Sequence, residues 1–519
     1  MYLTQLVRRA AQTSPKQIAT RFQGRTHTYP QFQDRVARLA TGLHKLGLKA
    51  GDRVGVLALN SDRYLEFFFA VPWAGGVFVP INTRLAPPEF VFWLADPECS
   101  VLFVDDAFLE VVQKIRPEIG CVKQFVYMGD GAVPAGMIPY ESLVEGNAPA
   151  ADAGRGFDEL AGIFYTGGTT GRSKGVMLSH RNLVYCALNA SLALRMRPDA
   201  VYLHAAPMFH LADGTETFGM TMMAGSHRFI PRFDPEEVLK MIDGEKITDI
   251  LIVPTMINML VNHPKLKDYD VSSLRHIVYG ASPMPEALIR KAVEVMPKVR
   301  FIQAYGQTEC SPLLTATPPE VHDLGGPLAS KLKSCGIAAP GVEVRILDAA
   351  GKEVPRGEVG EVCARAANVM LGYWKQPEVT ANTIRDGWIH TGDGGYMDED
   401  GFVYIVDRVK DMIISGGENV YSAEVENAVY RHPAVVECAV IGVPDEKWGE
   451  RVHAIVRLKP GERLDEAAVI EHCKQLIANY KCPRSVEFKD DPFPLSGAGK
   501  ILKTELRKPY WAGKARNVN

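Results

Sequence analysis

Between residues 50 and 306 the chain alternates short apolar runs with stretches whose apolar residues recur every three or four positions. The runs are RVGVLAL (53–59), VLFV (101–104), QFVYM (124–128), GIFY (162–165), DILIV (249–253), HIVYG (276–280) and RFIQAY (300–305). Rich in Val, Ile and Phe and too short for helices, they read as buried strands. The stretch EEVLKMIDGEKI (236–247) sets Val238, Leu239, Ile242 and Ile247 along one helical face. Strands alternating with helices predict an α/β fold, a large N-terminal domain of layered parallel or mixed sheets. From about residue 340 the period falls to two, in VEVRILDAAGKEV and EVGEVCARA, broken by Gly, Pro and Asp. A small antiparallel, β-barrel-like subdomain is expected there. After DRVKD (407–411) a helix (SAEVENAVYRH), two strands (VVECAVIGV, RVHAIVRLK), a helix (DEAAVIEHCKQLIANY) and a strand (SVEFKD) predict a small α+β unit. The expected domains are therefore 1–407 and 408–519.

Composition narrows the classes. With 46% apolar and 23% charged residues the 519-residue chain can bury more than one core. A net charge of -3 supplies no basic surplus for nucleic acid or anionic lipid. The nine cysteines are scattered singly, without CxxC spacing, which suits free thiols in a reducing compartment and no zinc site. The N-terminal MYLTQLVRRAAQTSP lacks the apolar core of a signal peptide. FFFAVPWAGGVFVPI (67–81) is too short to span a bilayer and contains prolines. A cytoplasmic protein with no transmembrane segment is expected, and a homodimer is an assembly open to it.

The chemistry begins at YTGGTTGRSKG (165–175), between GIFY and a helical run starting near His180. Its glycines would let backbone N–H groups approach an anion, its hydroxyls donate hydrogen bonds, and Lys174 supplies positive charge. It fits neither the Walker template, because Lys174 lies between Ser173 and Gly175, nor GxGxxG. By itself it reads equally well as a surface loop. Four further stretches follow: YGQTE (305–309), GWIHTGD (387–393), DRVKDMIISGGENVYSAEVE (407–426) and PLSGAGKILK (494–503).

Together and in this order, the five stretches resemble the AMP-forming adenylating enzymes across essentially the whole chain. That superfamily holds acyl-CoA synthetases, 4-coumarate–CoA ligases, firefly luciferases and peptide-synthetase adenylation domains. The resemblance implies a two-step ligase using ATP, Mg²⁺ and coenzyme A. A carboxylate displaces pyrophosphate from the α-phosphate, and a thiol then displaces AMP. It also implies residue roles. Thr166, Gly167, Gly168, Thr169, Thr170, Gly171 and Lys174 would cradle phosphates, although many relatives carry serine at Gly168. Thr308 would contact phosphate, and Glu309 with Thr166 would hold Mg²⁺. Tyr305 would stack on adenine beside Gly280, Ala281, Ser282, Ala304 and Gly306, with Asp393 and Arg408 on the ribose. Lys500 would bridge the attacking carboxylate and the α-phosphate. The C-terminal domain would turn about Lys410, bringing Ser415, Gly416, Gly417 and Glu418 to a CoA tunnel.

PMFHLADG (207–214) matches the segment bordering the acyl pocket, and His210, counted with the catalytic residues, stands where amino-acid-activating members usually carry aspartate. An α-ammonium would be left unpaired there, at a cost of several kcal/mol in a dry site. Other expected pocket residues are Asp213, Gly214, Met220 and its neighbours to Met223, Gly306 and Pro312. MIISGGENVYSAE resembles fatty-acid-type synthetases, coumarate ligases usually carrying lysines at the positions of Ile414 and Gly416. A medium- or long-chain fatty acid is the expected substrate. The alternatives are an arylpropenoate such as ferulate, whose phenol Asp213 or Glu216 would bind, and loading of a carrier protein instead of CoA.

Overall fold

The computed structural model describes residues 1–512 apart from 167–172, 283, 409–411, 416–417, 446 and 496–500, with backbone alone at 407, 408, 414, 418 and 419. All seven apolar runs become strands, Arg53–Leu57, Cys99–Val104, Gln124–Tyr127, Leu160–Thr166, Asp249–Leu251, His276–Gly280 and Arg300–Gly306. DILIV stops early because Pro254 opens the helix Pro254–Val261, although Ile252 and Val253 stay buried. The 236–247 helix runs Pro235–Glu245 and ends where Lys246 turns left-handed at φ 50°, which lets Ile247 reach the core from the next segment.

Two large mixed sheets carry the N-terminal domain. In the first, strands Ser226–Phe229, Val201–His204, Asp249–Leu251, His276–Gly280 and Arg300–Gly306 lie side by side and parallel. Their C-terminal ends therefore meet along one edge, the place where open α/β sheets hold ligands. The second runs from Gly372–Tyr373 through Lys174–Ser179, Leu160–Thr166, Val77–Pro80, Arg53–Leu57 and Cys99–Val104 to Gln124–Tyr127 and Ile138–Pro139. The apolar 67–81 segment becomes the end of helix Asp62–Trp73 and strand Val77–Pro80, with Phe67, Phe68 and Phe69 wholly enclosed. Among the described residues no helix is long and apolar enough to cross a membrane.

The period-two region forms an antiparallel sheet of Val342–Leu347, Gly360–Ala366, Trp388–Met397 and Val403–Arg408. Strands Ile413–Ser415, Val435–Asp445 and Gly449–Leu458 with helices Ser422–Tyr430 and Glu466–Lys474 then enclose a core of their own, including Val425, Val440, Val452 and Val469.

The helical run expected near His180 begins there, as His180–Ala193, but does not follow Leu160–Thr166 directly. A strand, Lys174–Ser179, intervenes and pairs antiparallel with Leu160–Thr166. The cause is local: Val176 and Leu178 alternate inward and are fully buried, and only then does Ser179 cap helix His180–Ala193 by accepting from Asn182 N at 3.1 Å. Leu160–Thr166 and Lys174–Ser179 are thus the two strands of a hairpin.

Candidate active site

The hairpin sets Thr166 and Lys174 opposite each other in register, so the hydroxyl and the ammonium belong to the two ends of one loop. Residues 167–172, with Gly167, Gly168, Thr169, Thr170 and Gly171, lie outside the described residues. Lys174 Nζ sits 5.0 Å from the ring centroid of Tyr373, a cation–π distance. Tyr373 reaches this place because strand Gly372–Tyr373 adds to the hairpin, Tyr373 opposite Val176. Its hydroxyl donates to Glu309 Oε1 at 2.8 Å. Burial, followed by the Glu309 charge, pushes the Tyr373 pKa up, so the phenol stays a donor. The Glu309 carbonyl accepts from Met370 N at 2.8 Å. The carboxylate is thereby fixed at one oxygen. With Thr166 it offers the hard oxygen donors that suit Mg²⁺.

Tyr305 and Glu309 belong to one segment, and both ends are tied down. Tyr305 hydroxyl donates to Asp393 Oδ2 at 2.8 Å, joining the strand Arg300–Gly306 to the antiparallel subdomain. Asp393 stands opposite Arg408 in the Trp388–Met397 and Val403–Arg408 pair. Between the ties, Thr308 opens the single turn Thr308–Cys310. Gly306 has to be glycine, since a Cβ there would lie 1.8 Å from the Pro312 carbonyl oxygen. At Gly280 a Cβ would meet the Ala304 carbonyl oxygen at 2.1 Å, so this glycine serves close strand packing. Ala281 follows in left-handed backbone at φ 65°, and it and Ser282 are half-buried beside the strand ends. Such conformations in residues with a Cβ gather at ligand sites.

His210 caps helix Leu211–Met223, its Nδ1 accepting from Ala212 N at 3.2 Å. It stands half-buried at the helix start. Two neighbours lie deeper than His210. Asp213 is sealed in the interior with no exposed side-chain surface. Its Oδ1 accepts from Tyr202 hydroxyl at 2.9 Å, and its Oδ2 lies 2.6 Å from His204 Nδ1. Beyond it His204 Nε2 meets His227 Nδ1 at 2.9 Å, and His227, held neutral by burial, reaches Thr221. Each carboxylate oxygen already has a partner, and the side chain presents no surface to a substrate phenol. Met220 packs into the core, and Met222 and Met223 turn toward Leu6 and Arg9 near the N-terminus. A helix rises only 1.5 Å per residue, so the methionines lie more than two turns below His210. Gly214 is buried within the helix and Pro312 half-buried.

In the C-terminal domain Lys410, Gly416, Gly417 and Lys500 lie outside the described residues, as do the side chains of Arg408 and Glu418. Ser415 ends strand Ile413–Ser415 and stands opposite Glu418 of strand Glu418–Val420. Sequence reasoning missed Tyr373. Its signal lies in LGYWK (371–375), which no local chemistry distinguishes from an ordinary strand end.

The AMP-binding enzyme family model matches residues 7–374, and that of the AMP-binding enzyme C-terminal domain matches 424–500. The chain is 39% identical over 506 residues to a feruloyl-CoA synthase of an Amycolatopsis species, covering 97% of this chain and 98% of that protein. It is 37% identical over 525 residues to the fatty acid–[acyl-carrier-protein] ligase ScoC of Streptomyces coeruleorubidus, covering 98% and 96%. ATP-bound MatB from Rhodopseudomonas palustris superposes with TM-score 0.88 at 34% identity over 99% of both chains. Apo MatB superposes with TM-score 0.77 at 34% identity over 98% of this chain and 99% of that chain.

Proposed function

This chain belongs to the AMP-binding enzyme family and is an AMP-forming acid–thiol ligase, and from that premise we propose that it joins an acid with a long, largely apolar body to CoA. A medium- or long-chain fatty acid is the leading candidate and an arylpropenoate the second. The observation that supports the assignment of roles is the double anchoring of residues 305–309, to Asp393 at one end and Tyr373 at the other.

In the first half-reaction an anion must approach a polyanion, so catalysis consists of positioning and charge compensation. Lys174 and the hairpin hold the terminal phosphates, and Thr308 donates to phosphate oxygen. Glu309 and Thr166 hold Mg²⁺, which when bound offsets phosphate charge. Tyr305 backs adenine while Asp393, with Arg408, accepts from the ribose hydroxyls. Lys500 stabilises the carboxylate oxygen as it bonds to phosphorus and pyrophosphate leaves. In the second half-reaction the thiol sulfur attacks the acyl carbonyl and AMP departs, with Lys410 as the hinge and Ser415 to Glu418 lining the approach.

Lys500→Ala is expected to abolish pyrophosphate release from ATP while preformed acyl-adenylate still yields thioester; equal loss of both steps would overturn that role. Lys410→Pro should do the reverse. The likeness to ScoC favours one second reading, transfer to a carrier protein's phosphopantetheine. Parallel assays with free CoA and with a carrier protein decide it.

A further inference from the structure

Cys363 and His390 stand directly opposite each other in the strand pair Gly360–Ala366 and Trp388–Met397. Glu361 lies two residues before Cys363 on its strand, so the two side chains share a face of the sheet. The three residues meet there. His390 Nδ1 lies 2.7 Å from Glu361 Oε2 and 3.3 Å from Cys363 Sγ, and one ligand atom from each residue falls within 4.8 Å of the others. The second carboxylate oxygen, Oε1, accepts from Gly392 N at 2.9 Å, which leaves Oε2 turned to the imidazole. Cys363 is fully buried against Leu347 and Trp388, whereas the His390 and Glu361 side chains are 12% and 24% exposed. The place is reached from solvent, backed by apolar side chains, and lined by one sulfur, one nitrogen and one oxygen. Counting cysteines along the chain gives no zinc spacing, because these ligands come from two strands 27 positions apart.

We propose that Glu361, Cys363 and His390 bind one thiophilic divalent cation, with Zn²⁺ the best fit. Tetrahedral Zn²⁺ takes thiolate sulfur at about 2.3 Å and nitrogen or oxygen at about 2.0–2.2 Å, which sets sulfur and nitrogen about 3.5 Å apart and nitrogen and oxygen about 3.4 Å apart. The Cys363–His390 separation is already close to this, and the Glu361 oxygen has to withdraw by about 0.7 Å. Water completes the fourth position on the exposed side. On binding, the Cys363 S–H bond breaks and its proton goes to solvent, while His390 takes the Nε2–H tautomer so that Nδ1 offers its lone pair. Burial and the Glu361 charge push the Cys363 pKa up to about 12, so the thiol keeps its proton until a cation replaces it. Thiolate, carboxylate and dication then sum to zero charge. Sulfur excludes Mg²⁺, which separates this site from the nucleotide's cation. Arg385 opposes the ion, 3.8 Å from Glu361 Oε2, but more than half of its side chain is exposed and has room to swing away. The Gly392 N–H on Oε1 is the kind of outer contact that orients a metal-bound carboxylate. Gly392 precedes Asp393, so the bound ion ties the two strands together beside that residue.

The test uses the full-length, reduced protein without nucleotide. Co²⁺, a spectroscopic stand-in for Zn²⁺, is titrated and followed by the thiolate-to-cobalt charge-transfer band in the near ultraviolet, and Zn²⁺ is then added to displace it. Wild type is expected to develop the band with one ion per chain, to lose it on adding an equivalent of Zn²⁺, and to unfold at higher temperature with Zn²⁺ than without. Cys363→Ser should remove the band and weaken Zn²⁺ binding by more than the about 10–100-fold that losing an outer contact costs. His390→Gln should weaken Zn²⁺ binding likewise, and it decides the matter if the first variant fails to fold. Cys121→Ser, at a cysteine that is only half-buried, should change neither reading. No band in wild type, a band that survives Cys363→Ser, Zn²⁺ affinity unchanged in His390→Gln, or a band lost in Cys121→Ser would overturn the inference. None of these outcomes bears on the ligase reading, because no turnover is measured.

Discussion

Tyr373→Phe removes one oxygen atom and tests how the cation site is held. In the wild type that hydroxyl donates to Glu309 Oε1 at 2.8 Å while the ring lies 5.0 Å from Lys174 Nζ. Phenylalanine keeps the ring, and with it the lysine contact and the buried volume, so the perturbation falls on the carboxylate alone. A hydrogen bond to a charged group contributes about 1.5–3 kcal/mol. Groups that orient a metal's ligand change its affinity by about 10–100-fold, or roughly 1.4–2.7 kcal/mol. The two ranges overlap, so the Mg²⁺ concentration giving half-maximal pyrophosphate release should rise about 10–100-fold. Saturating Mg²⁺ should restore kcat to within a few-fold, because the variant carboxylate can still be captured by the cation. Isothermal titration of MgATP supplies a reading independent of turnover and should weaken in step. A Mg²⁺ dependence superimposable on wild type, with an unchanged MgATP affinity, would refute the reasoning. A fall in kcat that Mg²⁺ cannot repair would show that Tyr373 acts on the reacting atoms instead.

Gly306→Ala places a Cβ 1.8 Å from the Pro312 carbonyl oxygen, so the 305–309 segment must shift; a displacement of about 1 Å at a catalytic segment costs about 100-fold in kcat/KM, and near-wild-type activity would contradict the packing described. Asp213→Ala takes the carboxylate away from the Tyr202 hydroxyl and from His204 Nδ1 inside the protein and should lower stability by about 3 kcal/mol in urea denaturation with acid preference unchanged, whereas a switch in acid preference would return Asp213 to the substrate. His322 has its pKa pushed down to about 4 by burial, from an unfolded value near 6.5. Its contribution is therefore full above pH 6.5 and is lost as pH falls toward 4, because the unfolded chain takes up the proton first, with a slope of about 1.4 kcal/mol per pH unit. His322→Asn should remove that slope from denaturation free energies measured between pH 6.5 and 4.5; an identical slope would exclude His322 as its source.

The strands were legible from the chain because apolar period and run length are local properties, and RVGVLAL, HIVYG and RFIQAY needed no knowledge of their neighbours. The change to period two near residue 340 likewise announced the antiparallel subdomain. Element ends were less legible, since Lys246 ends a helix by a left-handed turn that its residue type does not announce. The strand Lys174–Ser179 was hidden for another reason. GVMLS is short, and its alternation is visible only once Leu160–Thr166 lies beside it.

The candidate site divides along the same line. The resemblance carried by the five motifs is what grouped Thr166, Lys174, Tyr305, Thr308, Glu309 and Asp393 as expected site residues, because each motif is written in consecutive residues. Tertiary structure alone decided that Tyr373 meets Glu309 across 64 positions, that Asp213 turns inward to His204, and that Glu216 Oε1 finds no hydrogen-bond partner among the described residues. A side chain's type states what it can bond. Which partner it finds, or fails to find, depends on the strands and helices that pack across from it, and those come from distant parts of the chain.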